Sequence, residues 1–125
     1  MRFPGIKQNL NGWGNYPKVK SIFRPFYSVE KFNFDDKSII PRGLGRSYGD
    51  SALNKIVVDM TRIDRFIFFD EINGTLHCQS GISLHKILSV IVYREWFLPV
   101  TPGTKHITLG GAIACDVHGK NHHIE

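Results

Sequence analysis

Two segments of this 125-residue chain concentrate residue types that bind anions. The first is Pro41-Arg42-Gly43-Leu44-Gly45-Arg46-Ser47-Tyr48-Gly49-Asp50, followed by Ser51. Its three glycines permit backbone conformations closed to other residues and let a ligand approach the main chain. Successive N–H groups in such a loop can form an anion-binding nest. Arg42 and Arg46 add charge, and Ser47 adds a hydroxyl donor. The spacing G-x-G-x-x-x-G is not the dinucleotide fingerprint G-x-G-x-x-G, and the segment lacks the Gly-Lys-Ser/Thr ending of a P-loop. It therefore points to phosphate binding outside both common folds. A plain glycine-rich connector with solvated arginines fits the same residues equally well.

The second segment is Pro102-Gly103-Thr104-Lys105-His106-Ile107-Thr108-Leu109-Gly110-Gly111-Ala112-Ile113-Ala114. Thr108 is placed to cap a helix of small residues. Such a helix start presents free N–H groups and the positive end of the dipole, which suits a pyrophosphate. The competing reading is a tightly packed core helix that needs small residues. Next comes Cys115-Asp116-Val117-His118-Gly119-Lys120-Asn121-His122-His123, dense in polar groups. His118 and His122 have i, i+4 spacing, but Gly119 argues against a helix and no further ligand pattern completes a zinc site. No metal is expected. Polar groups of an active site fit better, with an exposed polar turn as the alternative.

These segments need elements to hold them. Residues 1–25 are rich in Gly, Asn and Pro and read as a turn-rich lead-in anchored by Trp13 and Tyr16. Ser21–Tyr27 is β-rich, but Pro25 demotes it to an edge or short strand. Ser28–Asp36 suggests a helical turn, and Ser38–Pro41 a short buried strand. Lys55–Met60 has a continuous apolar run, the mark of a strand buried on both faces. Arg65–Phe69 and Thr75–Ser80 read as a hairpin whose Asn73-Gly74 turn uses positive φ at both residues. From Ser83 a helix should run to about Arg94, with Leu84, Ile87, Leu88, Ile91 and Val92 on one apolar face. Trp96–Val100 reads as a strand, with Trp96 and Phe97 in the core. His77 and His85 read as structural or surface residues. The sum is an α+β or α/β domain with a mixed sheet.

Composition sets the outer bounds. No apolar run approaches the roughly 20 residues of a membrane span, and no apolar stretch follows Arg2 to suggest a secretory signal. Cys78 and Cys115 are too few for a disulfide framework and read as free buried thiols in a reduced, cytoplasmic setting, with association at the inner membrane surface as a variant. The net charge of +5 suits an anionic partner. Basic residues are spread without a run of five or six, so general nucleic-acid binding is not expected.

Taken in order, PRGLGRSYGD, the strand IVVDM with its following threonine, and PGTKHITLGGAIACDVHGKNHH resemble the FAD-linked oxidases whose flavin domain is of the vanillyl-alcohol-oxidase type. The resemblance is strongest over Pro41–Met60 and Pro102–His123. It implies the α+β form, with a small mixed sheet and flanking helices, and that residues 1–125 are part of an FAD-binding domain (the first subdomain and the start of the second) without the substrate domain. It implies FAD, with Pro41–Ser51 around the pyrophosphate and Gly103, Thr108, Leu109, Gly110 and Gly111 continuing that site. Cys115, Asp116, Val117 and His118 would pass along the flavin, and His118 and Lys120 would lie near the reacting ring. Arg46 stands where some relatives carry a histidine bonded to the flavin, so FAD is expected to be held non-covalently. The family's sugar-oxidising members take a secondary hydroxyl to a ketone by hydride transfer to flavin, and a partner reductase completes an epimerisation. A companion chain would have to supply the missing parts, or self-association would cover the incomplete domain. A non-catalytic flavin- or nucleotide-binding subunit is the alternative.

Overall fold

A computed structural model describes residues 5–32 and 38–119. They divide into two units, residues 1–63 and 64–125.

The first unit is a mixed sheet of β1 (Ile6–Leu10), β2 (Val19–Pro25), β3 (Ile39–Arg42) and β4 (Ile56–Asp59). The strand order is β1-β2-β4-β3. β1 runs antiparallel to β2, whereas β4 is parallel to both of its neighbours. The apolar run Ile56-Val57-Val58 takes the inner position, with Val57 fully buried. Val57 packs with Leu10 and Leu53, flanked by Val19, Phe23 and Ile40. Asp59 is also buried. Its carboxylate accepts from the Thr61 amide at 3.0 Å and the Thr61 hydroxyl at 2.6 Å, which offsets the cost of leaving water.

Two expectations fail here. The lead-in is partly strand, because Ile6–Leu10 pairs along β2. Trp13 and Tyr16 are exposed, so neither ring anchors it. Pro25 also does not make β2 an edge strand, since β2 lies between β1 and β4. Proline is tolerated because it is the last residue of the strand and Phe26 N donates to Asp59 O at 2.9 Å in the next place. Beyond it, Val29–Lys31 makes one 3-10 turn, with no side-chain cap from Ser28. The rest of the expected helical turn, residues 33–37, lies outside the described residues.

β3 and β4 are parallel neighbours, so the chain between them must cross back along the sheet. Such crossovers take a dozen or more residues and usually contain a helix. Here residues 43–55 make the return with no helix, and this crossover is the glycine-rich loop.

The second unit opens with β5 (Phe66–Asp70) and β6 (Thr75–Cys78), an antiparallel hairpin with an irregularity between Phe66 and Phe68. Helix α1 (Leu84–Ile91) follows, capped by Ser83 Oγ, which accepts from Lys86 N at 3.1 Å. Ile82, Leu84, Ile87 and Ile91 form the core, with Phe66, Phe69, Leu76, Leu88 and Leu98 against it. The helix ends at Ile91, and Val92–Arg94 tightens to a 3-10 turn before Glu95 at φ 62°. Val92 is thereby exposed rather than part of the buried face. Helix α2 (Leu109–Ala114) is capped by Thr108.

The hairpin turn is a four-residue loop, Glu71–Gly74, and only Gly74 takes positive φ (67°). Asn73 instead donates from its amide and side chain to Asp70, whose carboxylate also accepts from Ile72 N. Trp96–Val100 is not a strand. Trp96 Nε1 donates to Glu71 O at 2.9 Å, its ring meets Phe69 edge-on, and Phe97 is exposed. Cys78 is half-buried but Cys115 is exposed, so the pair is not two buried thiols. Burial pushes the Cys78 thiol up from its ordinary value.

Candidate functional site

The glycine-rich crossover of the first unit is held by its ends and by one neighbour. Arg42 closes β3, and its carbonyl accepts from Met60 N at 3.0 Å. Gly45 and Gly49 adopt φ of 70° and 59°. The Arg42 guanidinium lies against the α-carbon of Gly45, where a β-carbon would sit 2.3 Å from Nη2. Nη2 also donates to Asn11 O at 2.7 Å, while Nη1 is buried with no hydrogen-bond partner. Burial lowers the Arg42 pKa, and the charge of Asp59 opposes that shift.

The neighbour is the turn after β1. Trp13 N donates to Ser47 O at 2.9 Å. Gly12 lies so close that a β-carbon would fall 2.5 Å from Ser47 O and 3.1 Å from Gly49 O. Arg46 places its guanidinium carbon 5.1 Å from the centroid of the Trp13 ring. Between turn and loop is a cleft of about 660 Å³, lined by Asn9, Leu10, Asn11, Gly12, Trp13, Asn15, Arg42, Leu44, Gly45 and Arg46. Two arginines and no carboxylate line it.

Donor accounting decides what this loop can do. Among the described residues, no amide from Gly43 through Ser51 donates to a protein acceptor. Two of the loop carbonyls are used, Ser47 O by Trp13 N and Asp50 O by Leu53 N. A loop with uncommitted N–H groups and two left-handed glycines has the donor set of an anion nest. These residues fit a phosphate-bearing ligand. Tyr48, Asp50 and Ser51, assigned to the same loop, are exposed on it. Pro41, also exposed, precedes it on β3.

The second unit gives the opposite result. Thr108 caps α2 as expected, its hydroxyl accepting from Gly111 N at 3.1 Å. The amides that a helix start should leave free are nevertheless committed. Leu109 N donates to Ile82 O and Gly110 N to Ser80 O, both at 2.8 Å. A free-donor anion site at this helix end is therefore not what the fold provides. The expectation fails because the turn at residues 80–82 lies alongside and supplies the acceptors, a contact invisible to local sequence. Gly110 is small for the same reason, since a β-carbon would meet Ser80 Cβ and O at 3.1 Å. At Gly103 a β-carbon would meet nothing within 4 Å. Cys115 N closes on Gly111 O, Asp116 turns the chain at φ 48°, and Val117 N donates to Ala112 O. His118 follows and is exposed. Lys120, His122 and His123 lie outside the described residues.

A family model described as an FAD binding domain matches residues 28–125. The chain belongs to the FAD binding domain family. Within this FAD-binding domain the crossover loop and α2 both fall in the matched stretch. Decaprenylphosphoryl-beta-D-ribose oxidase of Mycolicibacterium smegmatis is 37% identical over 131 residues, covering 97% of this chain and 28% of that protein. A probable mitochondrial D-2-hydroxyglutarate dehydrogenase of Oryza sativa is 27% identical over 67 residues, covering 53% of this chain and 12% of that protein. The chain thus spans less than a third of the length of these relatives. Among the described residues no helix is long and apolar enough to cross a membrane.

One group was not foreseen as part of the site. The Asn11–Trp13 turn lies N-terminal to the matched stretch of the FAD-binding domain, yet it packs on the loop backbone. A glycine on each side of Trp13 was the signal, although only Gly12 is pressed against the loop, and Gly14 has open space.

Proposed function

We propose that this chain is the cofactor-holding portion of a flavin-dependent oxidoreductase that oxidises a sugar or polyprenyl-phosphosugar hydroxyl to a ketone. The observation carrying the reading is the run of uncommitted amides from Gly43 to Ser51, beside two arginines and with no carboxylate in the cleft. Pro41–Ser51 receive the FAD pyrophosphate. A dianion there is met by main-chain donors and by positive charge. The 37% identity to decaprenylphosphoryl-beta-D-ribose oxidase favours a phosphosugar as substrate.

FAD is held without a covalent bond. Arg46 stands in the loop where some relatives attach the flavin, and a guanidinium stays protonated and offers no nucleophilic lone pair. When bound, the flavin would supply the acceptor for the hydride that leaves the carbinol carbon. In the second unit, Gly103, Thr108–Gly111 and Cys115–His118 are assigned to the cofactor by their motif. His118 and Lys120 orient substrate or balance charge at the reacting ring. The substrate domain comes from outside residues 1–125, from further chain or a companion chain, and a partner reductase consumes the ketone.

The test is a flavin titration of the purified chain, following visible absorbance with FMN as control. Saturable FAD binding with FMN much weaker is expected, because FMN lacks the pyrophosphate. Acid precipitation of the complex should leave all flavin in the supernatant. Equal affinity for FAD and FMN would remove the pyrophosphate from the loop, and flavin in the pellet would overturn non-covalent binding.

A further inference from the structure

Arg46 is the unspent cation of the cleft. Arg42 is tied to Asn11 O and wedged beneath Gly45. Arg46 by contrast is exposed and, among the described residues, makes no hydrogen bond or ion pair; its guanidinium lies over the face of Trp13. That ring is 55% exposed and is itself a wall of the cleft. Trp13 is held where it is through its backbone, by Trp13 N on Ser47 O and by the fit of Gly12 against the same carbonyl. The backbone that carries the ring is thus tied to the loop that carries Arg46.

We propose that Arg46 is an exchangeable anion ligand of this cleft and that Trp13 is its resting place. A guanidinium over an exposed indole is weakly held, whereas a guanidinium paired with a phosphate makes two charge-assisted hydrogen bonds. A phosphate group entering the cleft therefore draws Arg46 off the ring and onto its own oxygens. The exchange keeps the cation from being fully hydrated in the absence of ligand and holds it on a residue that lines the cleft. It makes Trp13, which lies N-terminal to the matched family domain, a working part of the site. The inference rests on the phosphate reading of the loop given above.

The chain has two tryptophans, so Trp96→Phe leaves Trp13 as sole indole emitter. Inorganic pyrophosphate, which has no chromophore, is titrated into the full chain carrying that change while indole emission is followed. FAD binding is measured in parallel by visible absorbance. The expected result is a saturable emission change, with pyrophosphate affinity about tenfold weaker when Arg46→Gln is added and largely kept with Arg46→Lys. The wild-type signal minus that of Trp13→Phe gives the same reading without altering Trp96. FAD binding with no pyrophosphate-induced change at Trp13, or undiminished affinity in Arg46→Gln, would overturn the exchange and leave the cofactor reading standing. A folded chain that bound neither FAD nor pyrophosphate would overturn both.

Discussion

The Arg42 guanidinium and the α-carbon of Gly45 are in direct contact, so the side chain that closes β3 also sets the shape of the loop that follows it. The contact depends on glycine twice over, through the missing β-carbon and through a φ of 70°. Gly49 shares only the second requirement, with φ 59° and nothing within 4 Å of where a β-carbon would sit.

Gly45→Ala should therefore be worse than Gly49→Ala. Each change carries about 1 kcal/mol of left-handed backbone strain. Gly45→Ala adds displacement of a half-buried guanidinium from Asn11 O. Thermal melts should show the larger loss at Gly45, and FAD titration should show weakened binding there first. Gly45→Val should abolish FAD retention. Equal melting of the two alanine variants would mean that Arg42 does not brace the loop.

The same comparison separates the glycines around Trp13. A β-carbon at Gly12 would press on the backbone oxygen of Ser47, which cannot rotate away, whereas Gly14 has open space and no positive φ. Gly12→Ala should cost about 1–3 kcal/mol of stability by overpacking. Gly14→Ala should be neutral or stabilising by about 0.5 kcal/mol, through a less flexible unfolded chain. Chemical denaturation of the two variants checks this, and similar curves would detach the turn from the loop.

These contacts mark the limit of what the sequence made legible. Ser83 and Thr108 read correctly as caps because capping is a local matter of one hydroxyl and an amide three residues on. Ile56–Val58 read correctly as an inner strand because its burial is written in an unbroken apolar run. Trp96–Val100 was misread because aromatic residues favour strands in general, while this tryptophan is placed by Glu71 and Gly74, over 20 residues upstream. The α2 amides were misread because their acceptors, Ser80 and Ile82, belong to a distant turn. In the site, the loop residues were visible by type, but the partnership with Gly12 and Trp13 required the folded backbone.

The two thiols should react at different rates. Cys115 is exposed, while Cys78 is half-buried with its pKa pushed up by burial, so less of it is thiolate at a given pH. A stoichiometric thiol reagent at mild pH should label Cys115 first, as peptide mapping would show. Faster labelling of Cys78 would place that side chain on the surface.

Asp70 gives a pH signature. Hydrogen bonds from the Asn73 side chain, then the Asn73 amide, hold its carboxyl below the usual range. A depressed folded-state pKa means stability that is present above the unfolded pKa and lost as pH falls through the folded one. The difference in melting temperature between wild type and Asp70→Ala should thus be constant near neutrality and shrink in acid, below about pH 4. A difference that persisted unchanged at low pH would show that the turn does not depend on the ionised carboxylate.

Trp96 and Gly74 offer the sharpest test of the second unit. A β-carbon on Gly74 would lie 2.5 Å from the indole, and the glycine also holds φ 67°. Gly74→Ala in the wild-type background must pay both for the backbone and for moving a ring pinned by Glu71 O. In a Trp96→Ala background only the backbone strain remains, about 1 kcal/mol. The two changes should therefore be non-additive, with the double variant more stable than the sum of the singles predicts by about 1 kcal/mol or more. Denaturation curves of the four proteins close this cycle. Simple additivity would mean that the indole does not cover the turn, and that some other contact holds the hairpin to the end of α1.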